Sequence, residues 1–177
     1  MFDNAQVLPG DLPRLDDLAW QPVEARFARR QIASVLLVHV VVAASIAVFQ
    51  AFMEMVFRES GREMGFGWIW LPFLPVVVVT VIWPLLSVPR MGYAIRDRDI
   101  AYRCGVVWHT ITAIPLNRIQ HVEKFSSPLD RRFGLANLKI YTAGGSGGDL
   151  KLHGLAADVA ENLRGYILDR VGDAVER

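Results

Sequence analysis

Four histidines and one cysteine are the side chains with which this 177-residue chain could hold a metal or run acid–base chemistry. His39 stands alone inside a long apolar run, while His109, His121 and His153 are spread along the second half. A metal site is legible when ligands recur at short helical or turn spacing. None of these histidines forms such a pair, and Cys104 stands apart from them. They read as strand-surface histidines, and Cys104 as a small packing residue. Ser126 and Ser127, near Asp130 and His121, supply the residue types of an activated hydroxyl. Yet Ser127-Pro128-Leu129-Asp130 is also a helix start, with a serine cap, proline at the first helical position and an acid at the third. That role accounts for Ser127 and Asp130. The stretch AGGSGGDLK is rich in glycine, but it lacks the GK[ST] ending of a phosphate loop and reads as a hairpin turn. The expectation is no catalytic residue, no metal and no cofactor.

The remaining chemistry is charge. The formal net charge is +1, with no basic stripe of the kind that marks nucleic-acid binding. Arg90, Arg118, Lys124, Arg131 and Arg132 are the candidate contacts for anionic lipid or a protein partner. The competing reading leaves Arg131 and Arg132 solvating a short helix, or pairing with Asp130 and Glu123, since surface pairs are common and weak.

Two uncharged runs must position whatever these residues do. Ile32–Met53 and Phe66–Val88 each exceed the roughly 20 residues that span a hydrocarbon layer. The short linker Glu54–Gly65 forces them into an antiparallel hairpin. Arg26, Arg29 and Arg30 precede the first run, and Arg90, Arg96 and Arg98 follow the second. The positive-inside rule then puts both termini in the cytoplasm and the linker outside. Ala43, Ala47 and Ala51 recur every four residues and predict a close helix seam, within the chain or between copies. His39 reads as an interhelical hydrogen bonder, because the relay partners of a proton path are absent from both runs. Residues 1–31 read as a cytoplasmic or interfacial segment, with Trp20 as its anchor. Residues 32–88 form the hairpin, and 89–177 a soluble domain.

That last segment carries 13 Lys/Arg against 10 Asp/Glu, a difference of +3, and is long enough for one core. Its period changes to two. Tyr93–Arg96 and Ile100–Arg103 flank an Asp-Arg-Asp turn, and Val106–Ile114 alternates as one long strand. Strands follow at His121–Phe125, Leu138–Thr142 and Leu150–His153, around a short helix Pro128–Phe133 stopped by Gly134. Leu155, Val159, Leu163, Ile167 and Val171 then make one apolar helical stripe. Antiparallel strands covered by a terminal helix are an α+β arrangement, a small barrel or sandwich.

The segments IPLNRIQHVE, PLDRRFGLANLKIYTAGG and the closing HGL…A…LR together resemble the second family of bacterial pleckstrin-homology domains. A charge-poor helical hairpin ahead of them is similar to the YdbS type of membrane protein. The resemblance covers about residues 30–171. It implies a pleckstrin-homology-like barrel capped by a C-terminal helix, at the cytoplasmic face of a bacterial inner membrane, without catalytic residues. It carries no lipid specificity, because the phosphoinositide-binding basic pattern is not evident. The function expected is a membrane-anchored interaction or assembly module that binds a membrane or cytoplasmic protein, or a second copy. Anionic head-group recognition is the alternative, and a small enzyme or oligomeric channel the remote one.

Overall fold

The computed structural model describes residues 18–59, 67–143 and 150–175. The helix α1 runs from Arg26 to Glu59, 34 residues. At about 1.5 Å per residue it is roughly 50 Å long, more than the ~30 Å of a hydrocarbon layer. The surplus lies at both ends: Arg26–Gln31 sits against the barrel, and Glu54–Glu59 extends the helix into the stretch expected as linker. The rest of that linker, 60–65, lies outside the described residues. A 3₁₀ turn Gly67–Trp70 leads into α2, Phe73–Ser87, and a second turn Val88–Arg90 ends it. Arg26–Arg58 and the helical stretch Gly67–Arg90, which joins α2 to its flanking turns, are each long and apolar enough to cross a membrane.

The seam between α1 and α2 differs from the predicted alanine stripe. His39, Ala43, Ile46, Gln50 and Met53 are half-buried, whereas Ala47 and Ala51 are exposed. The reason is angular. Steps of four advance 400°, so a strict four-residue stripe drifts about 40° per step, while alternating fours and threes hold one face. The facing residues on α2 obey the same alternation at Phe73, Val77, Thr80, Pro84 and Ser87. Trp70 Nε1 donates to Gln50 Oε1 at 3.0 Å, and His39 meets Thr80 at 3.5 Å and the Phe73 ring edge-on. Pro72 and Pro75 fall at the start of α2, where amides have no intrahelical acceptor anyway; Pro84 alone interrupts its interior.

Among the described residues, seven strands build the remainder. Sheet order is β1-β2-β3-β4 and β5-β6-β7, all antiparallel. The strands are β1 Gln21–Pro22, β2 Gly92–Ile95, β3 Asp99–Cys104, β4 Thr110–Pro115, β5 Ile119–Phe125, β6 Leu135–Thr142 and β7 Leu150–Ala156. The short helix α3, Pro128–Arg132, has the expected capping box, and Gly134 follows it at φ +66°. The helix α4, Ala157–Val175, lays Ala160, Leu163 and Ile167 onto a core made by Ile100, Val122, Leu138, Ile140 and Leu152. This is the helix-sealed, two-sheet barrel that the α+β pattern predicts.

Two expectations give way. Residues 18–31 of the segment before the hairpin are no surface tail, residues 1–17 lying outside the described ones: Gln21 and Pro22 pair with Tyr93 and Gly92 as the first strand of the barrel. Val23 and Phe27 are buried in its core, and the Glu24 amide donates to the Gly154 carbonyl at 2.9 Å. Trp20 is covered by the Arg103 guanidinium, 4.9 Å from its ring centre. The hairpin is therefore inserted between the first two strands. The strand predicted over Val106–Ile114 is also shorter. Gly105 takes φ +120°, and residues 106–108 form a bend before β4 starts at Thr110.

A fragment of residues 89–177 should accordingly fold poorly, since it lacks β1, Val23 and Phe27. Truncation of one buried phenylalanine costs about 3–5 kcal/mol. Joining residues 18–31 to that fragment through a flexible linker should restore a cooperative melt by circular dichroism. An equally sharp melt without them would contradict this topology.

Candidate functional site

Where α1 leaves the barrel, its first turns carry Phe27 and Arg30 inward. Arg30 Nε stands 2.6 Å from Asp130 Oδ1, with side-chain exposures of 23% and 2%. Neither atom has a hydrogen-bonding partner among the described residues, so the two hold each other by charge. The other carboxylate oxygen, Oδ2, accepts from the Ser127 amide at 2.9 Å and from Asn137 Nδ2 at 3.1 Å. Ser127 Oγ accepts from the Asp130 amide and from the Arg30 guanidinium, at 3.0 and 3.2 Å. Asn137 Oδ1 in turn accepts the Gly154 amide at 3.1 Å and lies 3.3 Å from His153 Nδ1. The capping box of a five-residue helix thus doubles as the receptor for an arginine from the hairpin.

Phe27 completes the junction. Its ring lies parallel to that of His153, 6.4 Å away. Gly154 has φ +71°, and a Cβ there would stand 2.5 Å from Phe27 Cγ. Only glycine suits both demands. Phe27, Gln31, Met91, Phe125 and His153 line a cleft of about 300 Å³ around the ion pair.

The electrostatics follow from these contacts. Burial alone would raise the Asp130 carboxyl, but hydrogen bonding with Ser127, and then the Arg30 charge, hold it below the usual carboxylate range. Burial lowers the His153 imidazole, helped by the charges of Lys151 and Arg30 and opposed by Asp130. At neutral pH the site therefore holds an ionised aspartate, a charged arginine and a neutral histidine. That combination locks one element to another.

The candidate contacts predicted from sequence scatter. Arg131 and Arg132 are exposed on α3, at the end of the barrel from which the hairpin leaves. Arg90 is there too, its guanidinium donating to the Leu86 carbonyl at the end of α2. Lys124 is 2.7 Å from Glu161 of α4. Arg118 is at the opposite end: it follows β4, whose Pro115 pairs with Asp99 at the far turn, and its carbonyl accepts from Ala143. The competing pairing also fails, because Asp130 takes Arg30 rather than Arg131 or Arg132, and Glu123 accepts from the Tyr141 hydroxyl. His121 rests on Tyr141 and His109 is exposed, as surface residues should be. His153 is half-buried, contrary to the strand-surface expectation. The glycine turn 144–149 lies outside the described residues.

Sequence reading missed Arg30, Asn137 and His153 as one cluster. Ser127 and Arg30 are 97 residues apart, and no local pattern signals such a contact.

The family model of the bacterial PH domain matches residues 23–171. The chain belongs to that family. The matched range starts at Val23, so it takes in both helices as well as the barrel. The chain is also similar to the UPF0699 transmembrane protein YdbS of Bacillus subtilis (strain 168), 28% identical over 111 residues. That alignment covers 63% of this chain and 62% of the relative, less than two thirds of its length. No solved structure matches. The protein is a membrane-associated PH-like module, YdbS-like in type.

The shifted groups give the junction an acid-sensitive stability. The His153 folded-state value lies below its unfolded 6.5, so the stability it contributes is complete above that pH. It is lost as pH falls from about 6.5 through the lowered value. Asp130 behaves likewise from its unfolded 3.8 downward. Melting of the full chain in detergent should show two acid losses, the first diminished by His153→Gln and the second by Asp130→Asn. At neutral pH Asp130→Asn should cost about 3 kcal/mol, because it strands a half-buried arginine. A melting temperature flat between pH 7 and 5 would contradict the His153 assignment.

Proposed function

We propose that this protein is a non-catalytic interaction and assembly module, anchored by its hairpin in the cytoplasmic membrane with the barrel on the cytoplasmic face. The supporting observation is the insertion of the hairpin between β1 and β2, with Arg30 locked to Asp130. A barrel built that way is held at a fixed attitude to its anchor, which suits presentation of a surface to a partner. Orientation is supported by Arg26, Arg29, Arg30 and Arg90 at the hairpin's foot, with Trp68 exposed at its far end.

The surface best suited to a partner is the free edge of the first sheet. Among the described residues β4 has no second strand neighbour, and Thr110, Ile111, Ala113 and Pro115 are exposed along it. An unpaired edge offers main-chain hydrogen bonds to an added extended segment, with side-chain pockets setting specificity. The partner is then a polypeptide, in the membrane or the cytoplasm, or a second copy of this chain. Anionic lipid recognition has its own support in Arg131 and Arg132, exposed on α3 where it packs against α1.

Purification of the full chain in mild detergent, with mass identification of what accompanies it, separates these. Under the proposal a defined protein co-purifies and is lost with Ile111→Lys, a surface change that should leave stability within about 0.5 kcal/mol. Phosphatidylglycerol retained instead, and lost with Arg131→Ala/Arg132→Ala, would favour the lipid reading. A partner indifferent to Ile111→Lys would overturn the edge assignment.

A further inference from the structure

The turn between β3 and β4 is tightly closed. Gly105 takes φ +120°, and a Cβ there would stand 1.8 Å from the Trp108 carbonyl oxygen, so the backbone closes tightly on itself. The closure pushes the next side chains outward: Val107 is 64% exposed and Trp108 83%. The turn, Gly-Val-Val-Trp-His, contains no charged residue. The nearest cation in sequence, Arg103, is folded back over the Trp20 ring. Among the described residues, large apolar side chains at such exposure otherwise fall within the hairpin, between Leu36 and Leu86.

Register decides what this tip faces. The chain leaves the hairpin at Arg90 and enters β2 at Gly92, with Met91 already extended. Gly92 pairs with Arg103, so β3 runs back towards the hairpin and its turn projects beyond the sheet on that side. Paired strands lie about 5 Å apart, and the five residues from Arg103 to Trp108 reach at most about 17 Å. β1 confirms the direction, since it runs from Trp20 towards α1 antiparallel to β2. The tip therefore lies on the hairpin side of the sheet, the side on which spanning helices would leave the apolar layer. Tryptophan favours that zone, its ring in the acyl boundary and its N–H among head groups.

We propose that Val107 and Trp108 form a third membrane contact, a wedge that enters the bilayer interface next to the hairpin and fixes the tilt of the barrel. The occupant of this apolar tip is lipid, not protein. The assignment rests on the hairpin being membrane-spanning, and the test separates the two.

The test is power-saturation electron paramagnetic resonance of the full chain in nanodiscs of phosphatidylcholine and phosphatidylglycerol. Nitroxides are placed singly at Val107→Cys, Val48→Cys and Asp97→Cys, each in a Cys104→Ser background. Val48 is a lipid-facing candidate on α1, and Asp97 lies in the turn at the far end of the barrel. The Val107 label should collide with oxygen in preference to a water-soluble nickel chelate, as the Val48 label does, while the Asp97 label favours the chelate. Adding Trp108→Glu should move the Val107 label towards chelate accessibility without changing the melting temperature. A Val107 label as water-accessible as the Asp97 label overturns the wedge. Shielding from both reagents overturns it too, by showing that protein covers the tip. A water-accessible Val48 label would instead remove the spanning hairpin, and the wedge with it.

Discussion

A single arginine at the foot of a membrane-length helix neutralises a carboxylate that the barrel has almost wholly buried. Burying Asp130 would be costly without that charge, and Arg30 is supplied by an element outside both sheets. The barrel's core is therefore complete only when α1 is seated. Phe27 against Gly154 and the Glu24 amide on the Gly154 carbonyl repeat the dependence in apolar and hydrogen-bonding terms. The first turns of α1, with β1 before them, belong to the barrel's own fold, so the anchor grows out of the domain rather than being tied to it by a linker.

This explains why some elements were readable from sequence and others were not. The apolar runs, the capping box at Ser127–Asp130 and the alternation of β2, β3 and β6 are local, and each announced itself through spacing or composition. β1 is two residues, one of them proline, and no periodicity can emerge from Gln21–Pro22; its strand character comes wholly from pairing with β2. Val106–His109 is rich in β-formers but bends, because Gly105 at φ +120° ends the ladder and propensity yields to tertiary context. Within the chain the α1–α2 seam takes up Ala43 but leaves Ala47 and Ala51 exposed, since such seams follow a seven-residue alternation over this length.

The candidate site was half legible. Ser127 and Asp130 were recognised as cap residues, which they are, but the second role of Asp130 depends on a partner in another element. The basic residues that drew attention were those near Asp130 in sequence. Arg131 and Arg132 point to solvent, while Arg30, read only as a flank of an apolar run, reaches the carboxylate. A charge pair between distant elements leaves no trace in local spacing.

The account turns on the barrel having one attitude relative to the hairpin. Pulsed electron–electron resonance between nitroxides at Val48→Cys and Asp97→Cys, in a Cys104→Ser full chain in nanodiscs, measures that directly. One narrow distance distribution is predicted, and Asp130→Asn should broaden it. A broad distribution with Asp130 intact would show a barrel swinging freely from its anchor and would contradict the account.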